Sequence, residues 1–215
     1  KFDPEEGNYG YNLMVGNGTS ARPENDKFKW FYGDVYAKFL DKKLMLDLYA
    51  DYQRQNWLPG YHHSRNMVKG FIGYTVPQIS FGVEAFINHG QDDVAGTING
   101  ITDTLTANAT GLSLFVRGPI NKTKLGYFAR FDTFNPYGKF SDSYTTYKEI
   151  STNYDPNTKE RFVTAGLDYT PVKNVHFMPN IWYNQYEAQK SNLTGNAKQD
   201  YDLVYRMTFS YSFGR

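Results

Sequence analysis

The feature that most constrains this chain is a strict alternation of apolar and polar side chains across residues 27–54. In KFKWFYGDVYAKFL, Phe31 and Val35 fall on one face and Asp34 on the other, and the pattern resumes after DKK in LMLDLYADYQR. A period of two indicates β-strands with two different faces, and a short polar turn between two such strands makes a hairpin. Each strand exceeds the usual length of about five or six residues and matches the roughly 9–11 residues that cross a bilayer at a tilt. The stretch therefore predicts a transmembrane β-hairpin.

The same alternation recurs along the chain and predicts about ten strands in one domain that covers residues 1–215. The predicted strands are residues 9–18, 27–40, 44–54, 65–75, 79–88, 110–118, 125–132, 162–169, 175–184 and 202–213. Residues 89–106 and 135–159 show little periodicity, so we expect long irregular loops there. The connections alternate between long and short, the short ones being DKK, VPQ, PIN and PVKN. Bacterial outer-membrane barrels have short periplasmic turns and longer extracellular loops, so the chain predicts an all-β, antiparallel up-and-down transmembrane β-barrel.

Composition excludes several other classes of protein. No apolar run approaches the roughly 18 residues of a membrane helix. The mean hydropathy of −0.63 resembles that of a soluble protein, but a membrane barrel also scores low because half of each strand faces a polar lumen. The net charge of +1 gives no support for nucleic-acid binding, and the absence of cysteine excludes disulfides and thiolate metal sites. The chain begins with neither Met nor a signal peptide, so we expect a mature or truncated product.

A soluble β-sandwich or lipocalin-like barrel would also alternate, and the polar face distinguishes the two classes. In a soluble barrel that face meets water and is rich in Lys, Glu, Ser and Thr. Here it carries Gly, Phe, Tyr, Trp and Met mixed with Asp and Arg, while the apolar face is almost free of charge and has Tyr or Phe toward its ends. Pro179, in the middle of a predicted strand, is a mild objection because proline cannot donate to the ladder. The pattern favours the membrane barrel.

Two stretches carry a resemblance to a known family. The run GYNLMVGNG with RPENDKFKWFYGDVYAKFLDKKLMLDLYADYQ, and the ending DYDLVYRMTFSYSFGR, resemble the porin-type outer-membrane barrels of Bacteroidetes, relatives of the phosphate-selective porin O/P group. The resemblance implies an outer-membrane location, the lipid bilayer as partner and a channel function without a cofactor. Family members are usually longer, with extra strands upstream. The chain ends Phe213-Gly214-Arg215, whereas many outer-membrane proteins end on the aromatic residue itself.

The polar face collects the residues predicted to line a lumen. These charged residues are Asp34, Lys38, Asp47, Asp51, Arg65, Lys69, Glu84, Arg117, Arg130, Asp132, Asp168, Asp202 and Arg206. They predict either charged rings that select ions or an internal salt-bridge network that fills a narrow barrel. A preference for phosphate would need Arg and Lys without carboxylates nearby, and the balance of signs argues against it.

Other candidate residues point to catalysis or metal binding only weakly. The rings of the adjacent His62 and His63 point opposite ways on an extended chain, so a shared metal is not expected. His89 precedes Asp92-Asp93, and carboxylate–histidine pairs act at the rim of outer-membrane proteases, but an Asp-Asp dipeptide in a polar loop is usually only solvated. No metal and no catalytic residue is predicted.

Thr104 is a candidate O-glycosylation site, because Asp103-Thr104-Leu105 resembles the Asp-Ser/Thr-aliphatic motif of Bacteroidetes in a predicted extracellular loop.

Two functions stay open: a porin-like channel for passive diffusion of small hydrophilic solutes or ions, and a non-transporting barrel that serves as a subunit or scaffold of an outer-membrane complex. In the second, the loops contact partner proteins, and the Tyr-rich residues 137–154 suit such contacts.

A closed barrel of ten strands would be narrow, since about eight strands are just filled by their own side chains. The polar face carries both bulky aromatic rings and many charges, which are costly to bury without water or full pairing. Open sheet edges are not tolerated in a bilayer. We therefore expect the first strand to pair with additional strands, from an upstream part of the same protein or from a partner, in a wider barrel.

Overall fold

The computed structural model describes residues 2, 7–17, 23, 27–54, 63–137, 146–149, 156–188 and 200–213. In this part of the chain all regular secondary structure is β. The strands are β1 (Tyr9–Gly16), β2 (Trp30–Phe39), β3 (Leu44–Arg54), β4 (Ser64–Val76), β5 (Ile79–Ile98), β6 (Ile101–Pro119), β7 (Leu125–Asn135), β8 (Thr146–Glu149), β9 (Thr158–Tyr169), β10 (Val175–Ala188) and β11 (Tyr201–Tyr211). Among these residues no helix is long and apolar enough to cross a membrane.

All the strands belong to one sheet, and all of them except β8 follow one another across it in chain order. The order is β1-β2-β3-β4-β5-β6-β7-β9-β10-β11, every pairing is antiparallel, and β8 pairs with β5 off this path. The predicted all-β, antiparallel up-and-down fold is confirmed. The additional strand β8 lies within residues 135–159, for which the sequence predicts no strand, so that prediction is wrong for this short segment.

Short turns connect consecutive strands at one end of the sheet, which we call the short-turn end. They lie at residues 40–43, 77–78, 120–124 and 170–174, as DKK, VPQ, PIN and PVKN predict. Leu40, Asp41 and Lys42 adopt left-handed φ values of 54°, 56° and 64°, which reverse the chain in the first of these turns. The opposite end, which we call the loop end, carries the other connections.

Register places the apolar side chains of successive strands on one side of the sheet, which we call the apolar face. Val35 lies opposite Leu48, and Val83 lies opposite Leu114. These side chains are exposed, Leu48 by 61%. The alternate residues form the polar face. Because a slip of one residue would exchange the two faces, this register confirms the faces that the alternation predicts.

The described residues contain no extended apolar core. Their buried apolar side chains are a small group near the loop end: Val94, Ala107, Ala109, Pro136, Tyr137 and Pro156. A soluble β-sandwich would bury its apolar side chains between two sheets. Here a single sheet leaves them exposed, so the sandwich alternative does not fit.

The polar face is crowded instead. Phe71 of β4 and Phe115 of β6 stack with ring centroids 6.2 Å apart, although β5 lies between their strands. Strands two places apart are separated by about 10 Å, so the rings must lean toward each other. They meet over Gly82, where a Cβ atom would lie 2.5 Å from the Phe115 ring. The absence of a side chain at Gly82 therefore leaves room for the Phe71 and Phe115 rings to stack on this face.

The largest departure from the sequence-based prediction is the connection between β5 and β6. Residues 89–106 are not an irregular loop, because β5 continues to Ile98 and β6 begins at Ile101. Asn99 and Gly100 turn the chain with φ values of 50° and 77°, the left-handed pair of a type I′ turn. Asn-Gly between two apolar residues is a strong sequence signal for a hairpin. The flanking residues alternate too weakly to predict the two strands on either side of it.

Gly100→Ala is expected to destabilise the tip of this hairpin by roughly 1 kcal/mol, because a residue with a Cβ atom is strained in the left-handed region. Faster amide hydrogen exchange at Thr97 and Thr102, whose hydroxyl oxygens lie 2.9 Å apart, would report the loosening. Gly100→Asn, which tolerates this conformation, is the control with a smaller effect. Unchanged exchange in the alanine variant would contradict the turn assignment.

Pro179 lies inside β10, opposite Met207 of β11. On its other side the register pairs with β9 run from Phe177 directly to Asn180, so the ladder is interrupted at the proline. The missing donor is thus accommodated by a local gap, and the strand continues through it.

The two edge strands, β1 and β11, do not pair with each other in the described residues. The outer edge of β1 is instead contacted by Phe2: the Phe2 N–H donates to the Tyr11 carbonyl at 2.9 Å, and the Tyr11 N–H donates to the Phe2 carbonyl at 2.8 Å. Direct pairing of β1 with β11 would need these same Tyr11 groups. The sheet is therefore not closed here, and pairing of β1 with additional strands stays a prediction.

Candidate functional site

The charged residues predicted to line a lumen all lie on the polar face. Tyr49 of β3, for example, lies between Asp34 of β2 and Lys69 of β4. The register gives this face to Asp34, Lys38, Asp47, Asp51, Arg65, Lys69, Glu84, Arg117, Arg130, Asp132, Asp168, Asp202 and Arg206. Alternation alone was sufficient to find them, because side chains two residues apart share a face.

Two ion pairs lie on the open part of this face. Lys69 Nζ lies 3.2 Å from Glu84 Oε2, and Arg130 Nε lies 2.8 Å from Asp132 Oδ1. All four side chains are at least a quarter exposed, so each pair contributes little to stability. These two ion pairs neutralise only part of the charge on the polar face.

Four of the carboxylates predicted to line a lumen make no ion pair with a cation in the described residues. Asn12 donates to Asp34 at 3.1 Å, the Tyr49 hydroxyl donates to Asp51 at 2.6 Å, and the Tyr186 hydroxyl donates to Asp202 at 2.7 Å. Asp47 makes no hydrogen bond or ion pair within the part of the chain that the structure describes. No cation lies within ion-pair distance of these carboxylates in the described residues.

Three cations are likewise without a carboxylate partner in the described residues. The Arg206 guanidinium lies 3.7 Å from the centroid of the Trp182 ring, and Lys38 Nζ lies 5.0 Å from that of Tyr36. Arg117 makes no hydrogen bond, ion pair or ring contact there. The polar face is therefore neither a fully paired salt-bridge network nor a set of rings of one charge sign. It combines ion pairs with charged side chains that have no ion-pair partner in the described residues.

One charged cluster is buried, at the loop end. Arg65 Nε donates to Asp93 Oδ2 at 2.8 Å, and His63 Nδ1 lies 3.6 Å from Asp93 Oδ1. Asp93 is 1% exposed, so the expectation that Asp92-Asp93 is merely solvated is wrong for Asp93. The ladder shifts register between Gly90 and Val94, and this irregularity turns the Asp93 carboxylate over the space that a Cβ atom would fill at Gly90.

The remaining histidines form no catalytic arrangement in the described residues. His89 Nδ1 pairs with Asn108 Oδ1 at 2.9 Å and not with an aspartate, and His62 lies outside those residues. His176 Nδ1 lies 2.8 Å from Asp168 Oδ1 and 3.2 Å from the Thr170 hydroxyl. No group of ligating side chains there is arranged for a metal ion.

Thr104, the predicted glycosylation site, lies in β6 and not in an irregular loop. Its hydroxyl donates to Asp92 Oδ1 at 3.3 Å, and its N–H donates to Asp103 Oδ1 at 2.8 Å. Modification at this residue stays a prediction.

The apolar face has a defined band along the strands. At the short-turn end it finishes in aromatic contacts, Tyr74 with Phe81 and Tyr211 with Phe213, whose ring centroids are 5.5 Å and 4.6 Å apart. At the loop end the same face becomes polar. The pairs there are Lys29–Asn17 at 3.0 Å, His89–Asn108 at 2.9 Å and Arg161–Glu187 at 2.7 Å.

The fold and its two faces define a class of protein, an antiparallel β-meander that exposes an apolar band and carries its charges on the opposite side. No protein-family model matches the sequence, and no curated protein matches it either. The resemblance to porin-type barrels therefore remains a prediction that rests on the quoted stretches.

Proposed function

We propose that this chain forms the wall of a porin-like channel in a bacterial outer membrane, for passive diffusion of small hydrophilic solutes or ions. The observation that carries the proposal is the exposed apolar band on a sheet whose opposite face is charged. Leu13, Val68 and Met207, on three different strands, are 71%, 58% and 68% exposed on this band. A soluble monomer seldom exposes a contiguous apolar patch larger than a few hundred Å².

A lipid bilayer provides the apolar environment that this exposed band requires. Aromatic contacts at the short-turn end and Tyr183 with Tyr201 toward the loop end, 5.7 Å apart, suit the two girdles of a membrane barrel. The polar pairs Lys29–Asn17 and Arg161–Glu187 then lie beyond the hydrocarbon. In this orientation the short turns face the periplasm and the loop end faces outward.

Water provides the polar environment that the charged side chains of the polar face require. In the described residues Asp47 and the hydroxyl-bonded Asp51 have no cation within ion-pair distance, and a carboxylate moved out of water costs several kcal/mol unless it is paired. A hydrated passage along this face removes that cost. The mixed signs support a weakly selective channel.

The second candidate function is a non-transporting scaffold. The β5–β6 hairpin favours it, because the hairpin continues beyond the end of β4 at Ser64 and is joined by β8. Ile98 and Ile101 at its tip are 37% and 70% exposed and offer a contact surface for a partner protein.

Conductance in a planar bilayer separates the two functions. The purified protein is expected to need detergent or lipid, to show different gel mobility before and after boiling, and to give stable current steps. Full solubility without detergent would refute the membrane assignment. Heat-modifiable protein without current at any voltage would favour the scaffold.

Arg130→Ala and Arg206→Ala are expected to shift the permeability ratio toward cations, because each removes a positive charge from the polar face. Reversal potentials under a salt gradient measure this shift. Lys173→Ala, in the exposed turn between β9 and β10, removes the same charge outside the passage and serves as the control. Identical ratios in all three variants would place Arg130 and Arg206 away from the ion path.

A further inference from the structure

A cavity of about 560 Å³ lies at the short-turn end of the sheet, beside the turns that follow β4, β6 and β9. Its size is within the roughly 300–1,000 Å³ of small-molecule sites. Register brings part of its wall together, since Arg117 lies between Ser80 and Phe128 on the polar face. Phe128, Pro119 and Met178 add apolar surface. The cavity is an apolar recess with a few polar groups at its margin.

Positive charge dominates these polar groups. Arg117 and Lys124 line the cavity against a single carboxylate, that of Asp168. Lys124 Nζ is held by the Pro171 carbonyl at 2.6 Å. His176 Nδ1 lies 2.8 Å and 3.0 Å from the two Asp168 oxygens, and Asp168 makes no ion pair with Arg117. Within the described residues no acceptor occupies the Arg117 guanidinium donors.

We propose that this cavity binds small organic carboxylates, with the Arg117 guanidinium holding the carboxylate and the apolar wall holding the body of the solute. A guanidinium matches a carboxylate with two parallel hydrogen bonds. The Ser80 hydroxyl, which also lines the cavity, can donate to the same group. As a solute site within the channel, this inference rests on the proposed function.

The apolar wall decides against inorganic phosphate as the preferred ligand. Phosphate is hydrated on every side, and the side chains of Met178, Phe128 and Pro119 offer it no hydrogen bonds to replace that water. An aromatic or aliphatic carboxylate buries its apolar part on the same surface and gains free energy from doing so.

Titration of the full chain in detergent with 4-fluorobenzoate, followed by fluorine NMR, tests the site without requiring any current. Saturable binding is expected, and Arg117→Gln is expected to weaken it by at least about tenfold, the loss of one charge-assisted pair. Met178→Gln, which keeps the cation but makes the wall polar, is expected to weaken it several-fold. Lys42→Gln removes a positive charge from another turn at the same end, outside the cavity, and is expected to leave binding unchanged.

Three results would overturn the proposal: no saturable binding to the unaltered chain, equal binding by Arg117→Gln, or displacement of 4-fluorobenzoate by an equal concentration of inorganic phosphate. Gel mobility before and after boiling shows that each variant is folded. Bilayer recordings with the same probe separate the two proposals. Binding without current leaves the site in place and refutes the channel, whereas current without binding refutes the site alone.

Discussion

Val83→Arg, or Leu114→Arg beside it, is expected to lower the free energy of unfolding in lipid by roughly 2–4 kcal/mol, the cost of a charge on the lipid side of a barrel near the bilayer midplane. The two residues lie opposite each other on β5 and β6 and are 39% and 38% exposed on the apolar face. Their neighbours on this face, Ile72 and Phe131, provide no carboxylate to pair with the new guanidinium.

Urea unfolding of the protein in lipid vesicles measures this effect. The matched control is Glu84→Gln, one residue away on the polar face, where the ion pair with Lys69 is about a third exposed and is worth at most about 1 kcal/mol. If Glu84→Gln destabilises the protein more than Val83→Arg does, the apolar face is not the one that meets lipid.

Asp93→Asn is expected to cost about 3 kcal/mol, because it leaves the largely buried Arg65 guanidinium without its carboxylate. The Asp93 side chain is 2% exposed and that of Arg65 is 23% exposed, so water cannot replace the lost partner fully. The loss should be concentrated at the loop end, where Val94 packs with Ala107 and Tyr137. Urea unfolding measures the loss of stability, and the rate of amide hydrogen exchange at Val94 shows whether that loss is concentrated at the loop end.

Arg65→Met combined with Asp93→Asn completes a double-mutant cycle. Removing both charges is expected to cost less than Asp93→Asn alone, since no buried cation remains unpaired. Glu84→Gln again serves as the exposed control. An effect of Asp93→Asn no larger than that of the control would show that the buried pair does not hold the base of the hairpin.

Local pattern was enough to locate most strands and both faces. The alternation in residues 27–54 specifies β2, β3 and the turn between them, because the period of two is a property of the backbone. Register then follows, since a slip of one residue would turn charges such as Asp47 toward the apolar face. Contacts between residues two apart, as in Tyr49–Asp51 and Arg130–Asp132, also follow from this pattern.

The base of the β5–β6 hairpin shows where the pattern failed. Two groups that meet there, Arg65 and Asp93, are 28 residues apart in sequence. Their contact depends on the register of β4 with β5 and on an irregularity after Gly90, which removes the regular period. The low periodicity therefore predicts a loop where the strands in fact continue, although Asn99-Gly100 carries the signal for a turn.

The alternation in the sequence predicted ten of the strands, their two faces and the residues on the charged side, because each of these depends on neighbours within one strand. Tertiary structure alone decided that β8 joins β5, that Asp93 is buried against Arg65, and that Arg117 borders a cavity with Met178. Those features arise where separate strands and turns meet. The contacts there are set by register and by side-chain size on several strands at once, and no local period encodes them.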